Sequence, residues 1–318
     1  MSALRPWRRA ALAPVAAALA FALAGPASAA PAPTACASAP VAGTYTVTVT
    51  SGGLQRTALV HVPAALPAGA PAPLLLALHG AYGNGPGMQT YSGFSALADA
   101  DDFIVAYPSA AGHFWNISGS AKGPDDVAFI RALISTLEST MCIDTTRVFA
   151  AGVSNGAGMV ALLGCALSSQ IDGIAVVAGD YDQLPSCRLK RPVPLLEIHG
   201  TADRVAPYRG KLGQATVDGV PPFVAAWARR DGCAALPGIR SIASRTVLFR
   251  WQRCAHAAMV EHIRIIAGRH QWPGATPPDP GPRATISASH TIWSFFSSLG
   301  PQTLPPASGA GGTGGAPA

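Results

Sequence analysis

Gly152-Val153-Ser154-Asn155-Gly156 fits G-x-S-x-G, a spacing that can turn a serine into a nucleophile. The chemistry needs a sharp turn between a strand and a helix, so that the hydroxyl stands clear of both. Arg147 to Ala151 reads as a short buried strand, and Ala157-Gly158-Met159-Val160-Ala161-Leu162-Leu163 reads as the start of a helix. Side chains at Gly152 and Gly156 would collide in such a turn. The pattern also arises by chance in a chain with 34 glycines, so it requires partners before it means catalysis.

A serine hydroxyl needs a base to take its proton and return it to a leaving group, and a carboxylate to fix the base's tautomer. In strand–turn–helix nucleophiles of this kind the order along the chain is serine, acid, histidine. Asp203 follows the strand-like run Leu195-Leu196-Glu197-Ile198-His199-Gly200 directly and is the expected acid; Asp180 and Asp182 compete from the preceding loop. Glu197 lies inside the strand pattern, and His199 precedes the acid, which reads as a strand-end histidine. Of His256, His262, His270 and His290, only His270 sits in a Gly/Pro-shaped loop after the last strong strand, so it is the expected base. His262 borders a strand and reads as structural, and His290 begins a terminal helix-like segment. Acyl transfer also needs two N–H donors for the developing oxyanion. One is expected from Asn155. The other is expected from the loop His79-Gly80-Ala81-Tyr82-Gly83-Asn84-Gly85, with Ala81 ahead of Tyr82.

These residues need a scaffold that places three loops at one end. Gly43 to Thr50 and Arg56 to Pro63 alternate and form an opening antiparallel hairpin turned at Gly52-Gly53. Six continuous apolar runs follow, as in strands buried on both faces: 74–78, 103–107, 148–151, 174–178, 195–198 and 263–267. The clearest helix starts at Asp125 or Asp126, read as its cap, and presents Val127, Ile130, Leu133, Ile134, Leu137 and Met141 on one face. Eight strands with interleaved helices predict an α/β class chain with the α/β hydrolase fold, a mostly parallel sheet in which Ser154 follows the fifth strand.

Arg5, Arg8 and Arg9, an apolar run from Ala10 to Ala24 and then Ala27-Ser28-Ala29 read as a cleavable export signal over 1–29. The run is shorter than the roughly 20 residues that span a bilayer, and no later run is longer, so no membrane span is expected. Removing the three arginines lowers the formal charge from +6 to +3, which gives nucleic-acid binding no support. Residues 30–300 suit one catalytic domain, and the Gly/Pro/Ala-rich 301–318 reads as a disordered tail. All six cysteines lie beyond the signal, and an even number in an exported chain favours disulfides, with Cys233–Cys254 the first pairing expected. No C-x-x-C, H-E-x-x-H, Walker or dinucleotide pattern is present, so neither a metal nor a cofactor is implied.

With these pieces placed, the chain resembles the secreted esterases that include feruloyl esterases, acetylxylan esterases and polyhydroxybutyrate depolymerase-like enzymes. The resemblance rests on Ala42-Gly43-Thr44-Tyr45-Thr46, Leu78-His79-Gly80, Asp126-Val127-Ala128-Phe129-Ile130, Cys142-Ile143-Asp144-Thr145, Ser154-Asn155-Gly156-Ala157-Gly158-Met159, His199-Gly200-Thr201-Ala202-Asp203 and His270-x-Trp272-Pro273-Gly274. It implies Ser154 as nucleophile, Asp203 as acid and His270 as base. It further implies an ester substrate, polysaccharide-linked or polyester, with a feruloyl-type ester first and polyhydroxyalkanoate or acetylxylan as alternatives. Tyr82, Trp115 and Trp272 are candidates to line an acyl pocket, with core packing the competing role. Arg269, charged and bulky beside the base, bears on the pocket's shape. The reading outside enzymes is an exported binding protein that keeps this fold.

Overall fold

The computed structural model describes residues 40–67, 69–210, 219–279 and 285–300. All of them belong to one compact unit, and the expected signal and tail lie outside them. Ten strands form one sheet in the order β1-β2-β4-β3-β5-β6-β7-β10-β9-β8. They are β1 Gly43–Ser51, β2 Leu54–Val62, β3 Ala72–Leu78, β4 Ile104–Pro108, β5 Ile143–Val153, β6 Gly173–Val177, β7 Leu195–Gly200, β8 Gly238–Ala243, β9 Thr246–Trp251 and β10 Val260–Ile265. The six central strands run parallel, and an antiparallel hairpin closes each edge.

All eight expected strands are present; β8 and β9 extend the sheet to ten. Thr246–Trp251 has the alternating character of a strand, but Gly238–Ala243 is exposed over most of its length and carries no apolar run to announce it. The central strands are apolar on both faces because both are covered. One face packs against α3 (Asp126–Thr140), α4 (Asn155–Ala166) and α5 (Val220–Arg230) through Phe129, Ile130, Met159, Val160, Val220 and Phe223. The other packs against α1 (Gly85–Ser92), α2 (Phe94–Asp101) and α6 (Ala288–Ser297) through Met88, Phe94, Leu97, Ile292 and Phe296.

Asp125 caps α3, its carboxylate accepting from Ala128 N–H at 2.8 Å. Asp126 does something else: buried, it pairs with Arg56 at 2.7 Å and accepts the Asn116 N–H at 2.8 Å, tying β2 to the loop that runs toward the serine. Cys233–Cys254 forms as expected and joins the end of α5 to the end of β9; Cys165–Cys187 is a second bridge, and Cys142 is disulfide-bonded as well. No helix among the described residues is long and apolar enough to cross a membrane.

Candidate active site

Ser154 sits between β5 and α4 with φ 56° and ψ −122°, a backbone conformation a serine adopts only under constraint. The glycines on either side are what permit it. A Cβ on Gly152 would lie 2.6 Å from the Gly156 carbonyl oxygen, so the two ends of the turn do meet. A Cβ on Gly156 would instead run into the backbone of the β3 loop, 2.7 Å from the Leu78 carbonyl oxygen and closer still to that of His79. The turn is therefore pressed directly against the His79-Gly80 segment.

His79 braces that segment. Its Nε2 accepts the Ala110 N–H at 3.1 Å, so the proton is on Nδ1, which donates to the Gly80 carbonyl at 2.7 Å. Burial pushes this imidazole down, favouring the neutral ring. Tyr82 spends its backbone N–H on the His113 carbonyl at 2.7 Å, which removes it as an oxyanion donor. The N–H groups of Ala81 and Asn155 have no acceptor among the described residues. Asn155 sits at the first turn of α4, where the helix dipole adds positive potential. Its side chain clasps Trp115, accepting that residue's N–H at 2.7 Å and donating to its carbonyl at 3.2 Å.

At the other side of the cleft, Asp203 and His270 meet because the loops after β7 and β10 are laced together: Thr201 N–H donates to the Ile265 carbonyl and Ala202 N–H to that of Gly268. His270 Nδ1 and Asp203 Oδ2 are 2.8 Å apart. The carboxylate's other oxygen accepts from the Val205 and Ala206 N–H groups at 2.8 and 2.9 Å. Burial alone would push this acid up, but hydrogen bonds from His199 and His270, the His270 charge and the Ala206 N–H hold it far below the usual carboxylate range. Asp180 accepts the Asp182 N–H at 3.3 Å, while it is Asp203 that pairs with His270. His256 and His290 are exposed.

Behind Asp203 lies a group that the sequence reading assigned no site role. His199 Nε2 is 3.2 Å from Asp203 Oδ2, and its Nδ1 is 2.9 Å from Glu197 Oε1. Glu197, fully buried, also faces His262 Nδ1 at 2.5 Å and accepts from the Tyr181 hydroxyl at 3.2 Å. His262 Nε2 in turn meets the Tyr208 hydroxyl at 2.8 Å. Strand geometry explains the grouping: Glu197 and His199 share a face of β7, and the parallel register sets His262 beside Glu197.

Ser154 and His270 line one cleft of about 570 Å³, walled by Gly80, Ala81, Tyr82, Met88, Tyr91 and Val205. Of the three aromatic candidates, Tyr82 lines it and is 73 % exposed. Trp115 and Trp272 do not: they are 2 % and 1 % exposed. Large rings contribute most where they are fully buried, and both indoles find internal acceptors, Trp115 Nε1 the His79 carbonyl and Trp272 Nε1 the Ser289 hydroxyl. Trp115 supports the β3 loop; Trp272 anchors the histidine loop, its N–H held by Asp279 and the Tyr91 hydroxyl. Arg269 is exposed and does not line the cleft.

Comparison with known proteins agrees with this architecture. Residues 58–181 match the model of the family described as Esterase PHB depolymerase. The chain is 34 % identical over 230 residues to feruloyl esterase B of Piromyces equi, covering 68 % of this chain and 42 % of that protein's length. It is 32 % identical over 246 residues to NocK of Nocardia uniformis subsp. tsuyamanensis, a protein named as an esterase, covering 67 % of this chain and 69 % of that one. Among solved structures, acetyl xylan esterase from Aspergillus awamori matches with a TM-score of 0.58 at 16 % identity, over 80 % of this chain and 99 % of that chain, which establishes a shared α/β hydrolase fold. By the family match and the NocK relationship together, the chain belongs to the Esterase PHB depolymerase family.

Proposed function

We propose that this protein is an exported serine esterase, feruloyl esterase-like, that cleaves carboxylic esters through an acyl-enzyme. The observation that carries the reading is the 2.8 Å contact of His270 Nδ1 with Asp203 in a cleft that Ser154 and His270 share. With Nδ1 committed to the acid, Nε2 is left to serve Ser154. As Ser154 Oγ bonds to the ester carbonyl carbon, its proton passes to His270 Nε2 and the carbonyl oxygen becomes an oxyanion, received by the Ala81 and Asn155 N–H groups. The C–O bond to the alcohol then breaks, the alcohol takes the proton from His270, and the acyl group remains on Ser154. Water repeats the sequence: its oxygen bonds to the acyl carbon as its proton passes to His270, the bond to Ser154 Oγ then breaks, and Oγ takes the proton from His270 as the acid leaves.

The name of the Piromyces relative and the apolar wall of Met88, Tyr91, Val205 and exposed Tyr82 favour an aromatic acyl group. The disulfides suit an oxidising compartment, as the proposed leader 1–29 requires. Ser154→Ala should lower turnover of a feruloyl or simple aryl ester by about 10⁴-fold or more in folded protein. Retention of most of the activity refutes the assignment. A hydrolysis panel of methyl ferulate, acetylated xylan and polyhydroxybutyrate decides the substrate class, with methyl ferulate expected to be cleaved fastest.

A further inference from the structure

Both ring nitrogens of His199 face groups that can only accept. Nδ1 meets Glu197 Oε1 at 2.9 Å; Nε2 lies 2.9 Å from the Ala206 carbonyl oxygen and 3.2 Å from Asp203 Oδ2. Glu197 accepts from the Tyr181 hydroxyl, and although burial pushes its carboxyl up, the His262 charge and the contacts with His199 and His262 hold it below the usual range, so it is a carboxylate and offers His199 no proton. A ring that donates from both nitrogens is an imidazolium. Burial works against that charge, but the hydrogen bonds to Asp203 and Glu197, the Glu197 charge and the Ala206 carbonyl outweigh it and raise His199 to about 10.

We propose that His199 is a positioning residue for the triad: held between Glu197 and Asp203, it fixes the acid's orientation, offsets part of its charge and so tunes the response of His270 to pH. The alternation Glu197, His199, Asp203, His270 runs from the sheet interior to the cleft, and Asp203 Oδ2 is shared by the two histidines. The neighbouring charged and titratable groups are Tyr208 after β7, edge-on to His199 at 6.0 Å between centroids, and Arg264 of β10, its register partner; Tyr181 after β6 and His262 of β10 meet Glu197, and the charges of Arg264 and Arg209 bear on the Tyr208 hydroxyl. A permanent cation on one side of Asp203 weakens the pull of that carboxylate on a proton at His270. It also lets two buried acids, Glu197 and Asp203, stand on either side of one ring without like-charge conflict.

The role rests on the triad reading above, but its first test does not. Nitrogen-15 spectra of histidine-labelled wild-type protein, assigned with His199→Gln or, should that variant not fold, with Glu197→Gln, report the His199 ring directly. Both ring nitrogens should stay protonated from pH 5.5 to 8.5; a neutral His199 ring at pH 7 overturns the proposal even if Ser154 proves to be the nucleophile. The second test is kinetic, with rates normalised to sites labelled by a fluorophosphonate. His199→Gln should lower kcat about ten-fold with KM nearly unchanged, and the acidic limb of kcat/KM should move upward by about half a pH unit or more. An unmoved limb in folded, labelled variant overturns it. If Ser154 takes no label, the esterase reading fails while the ring state of His199 still stands or falls on its own.

Discussion

The two walls of the cleft are built by opposite means. The serine wall is made of backbone: Ser154 in a strained turn, Gly152 and Gly156 admitting close carbonyls, and N–H groups of Ala81 and Asn155 supplying positive potential. The acid–base wall is made of hydrogen-bonded side chains running inward from His270 to three ionised groups, Asp203, His199 and Glu197. A wall of backbone resists change in shape but does not titrate. A wall of charges tolerates small shifts in shape but responds to pH and to the loss of any one partner.

The largest separation of the two should appear in Asp203→Asn. The carboxamide keeps the size of the acid, but its NH₂ cannot accept from His270, so the histidine turns or takes the wrong tautomer. Turnover should fall about 10³- to 10⁴-fold, while fluorophosphonate labelling of Ser154 slows and the thermal midpoint moves by a few degrees at most. An Asn variant with more than a tenth of wild-type kcat would show that Asp203 is not the triad acid.

Next in size is Gly156→Ala, aimed at the serine wall. The added methyl would press on the Leu78 and His79 carbonyls, which are backbone and cannot swing aside. A loss of about 3 kcal/mol in stability is expected, read as a lower urea midpoint, with activity falling because the elbow and the Ala81 donor move apart. An unchanged midpoint would mean that the turn is looser than its geometry indicates.

How far each wall can be read from the sequence follows the same division. The serine wall is local: five residues announce the turn, and the strand before and helix after it confirm the context. Asp203 and His270 were legible through their positions at strand ends. The inner half of the charged wall was not, although Glu197, His199 and His262 were each noticed. Their meaning depends on the parallel register of β7 against β10, set by residues 65 apart between Glu197 and His262, and no spacing within one strand encodes it. Trp115 and Trp272 went the other way: an aromatic near a catalytic loop looks the same whether it faces a substrate or the core, and burial decided for the core.

The two walls should also part in how their stability contributions vary with pH. His199 is raised from its ordinary 6.5 to about 10 in the folded protein, so its charge contributes fully below about 6.5 and the contribution is lost as pH rises through 10. Asp203 is depressed from 3.8, so its contribution is present above that value and fades only in stronger acid. The difference in thermal midpoint between wild type and His199→Gln should therefore be largest near pH 5 to 6 and shrink toward pH 10. For Gly156→Ala the difference should stay flat over the same range. A flat His199→Gln difference would mean that the inner wall is held by packing rather than by charge.

The smallest effect falls on Tyr82, where the serine wall borders the cleft. Its φ of 62° lies in the left-handed region, and its ring stands in solvent against His113 and Phe114, at 5.3 and 4.8 Å between centroids. Strain of this kind costs about 1 kcal/mol or more, and an exposed ring recovers little of it by burial. Glycine relieves the strain but loosens the unfolded chain, so Tyr82→Gly should leave the midpoint within a degree or two of wild type. KM for an aromatic acyl ester should rise about three- to ten-fold, the loss of one ring contact, while KM for an acetyl ester barely moves. A KM that rises equally for both esters would mean that the residue shapes the loop carrying Ala81 rather than meeting the acyl group, and its strain would then belong to the oxyanion side of the backbone wall.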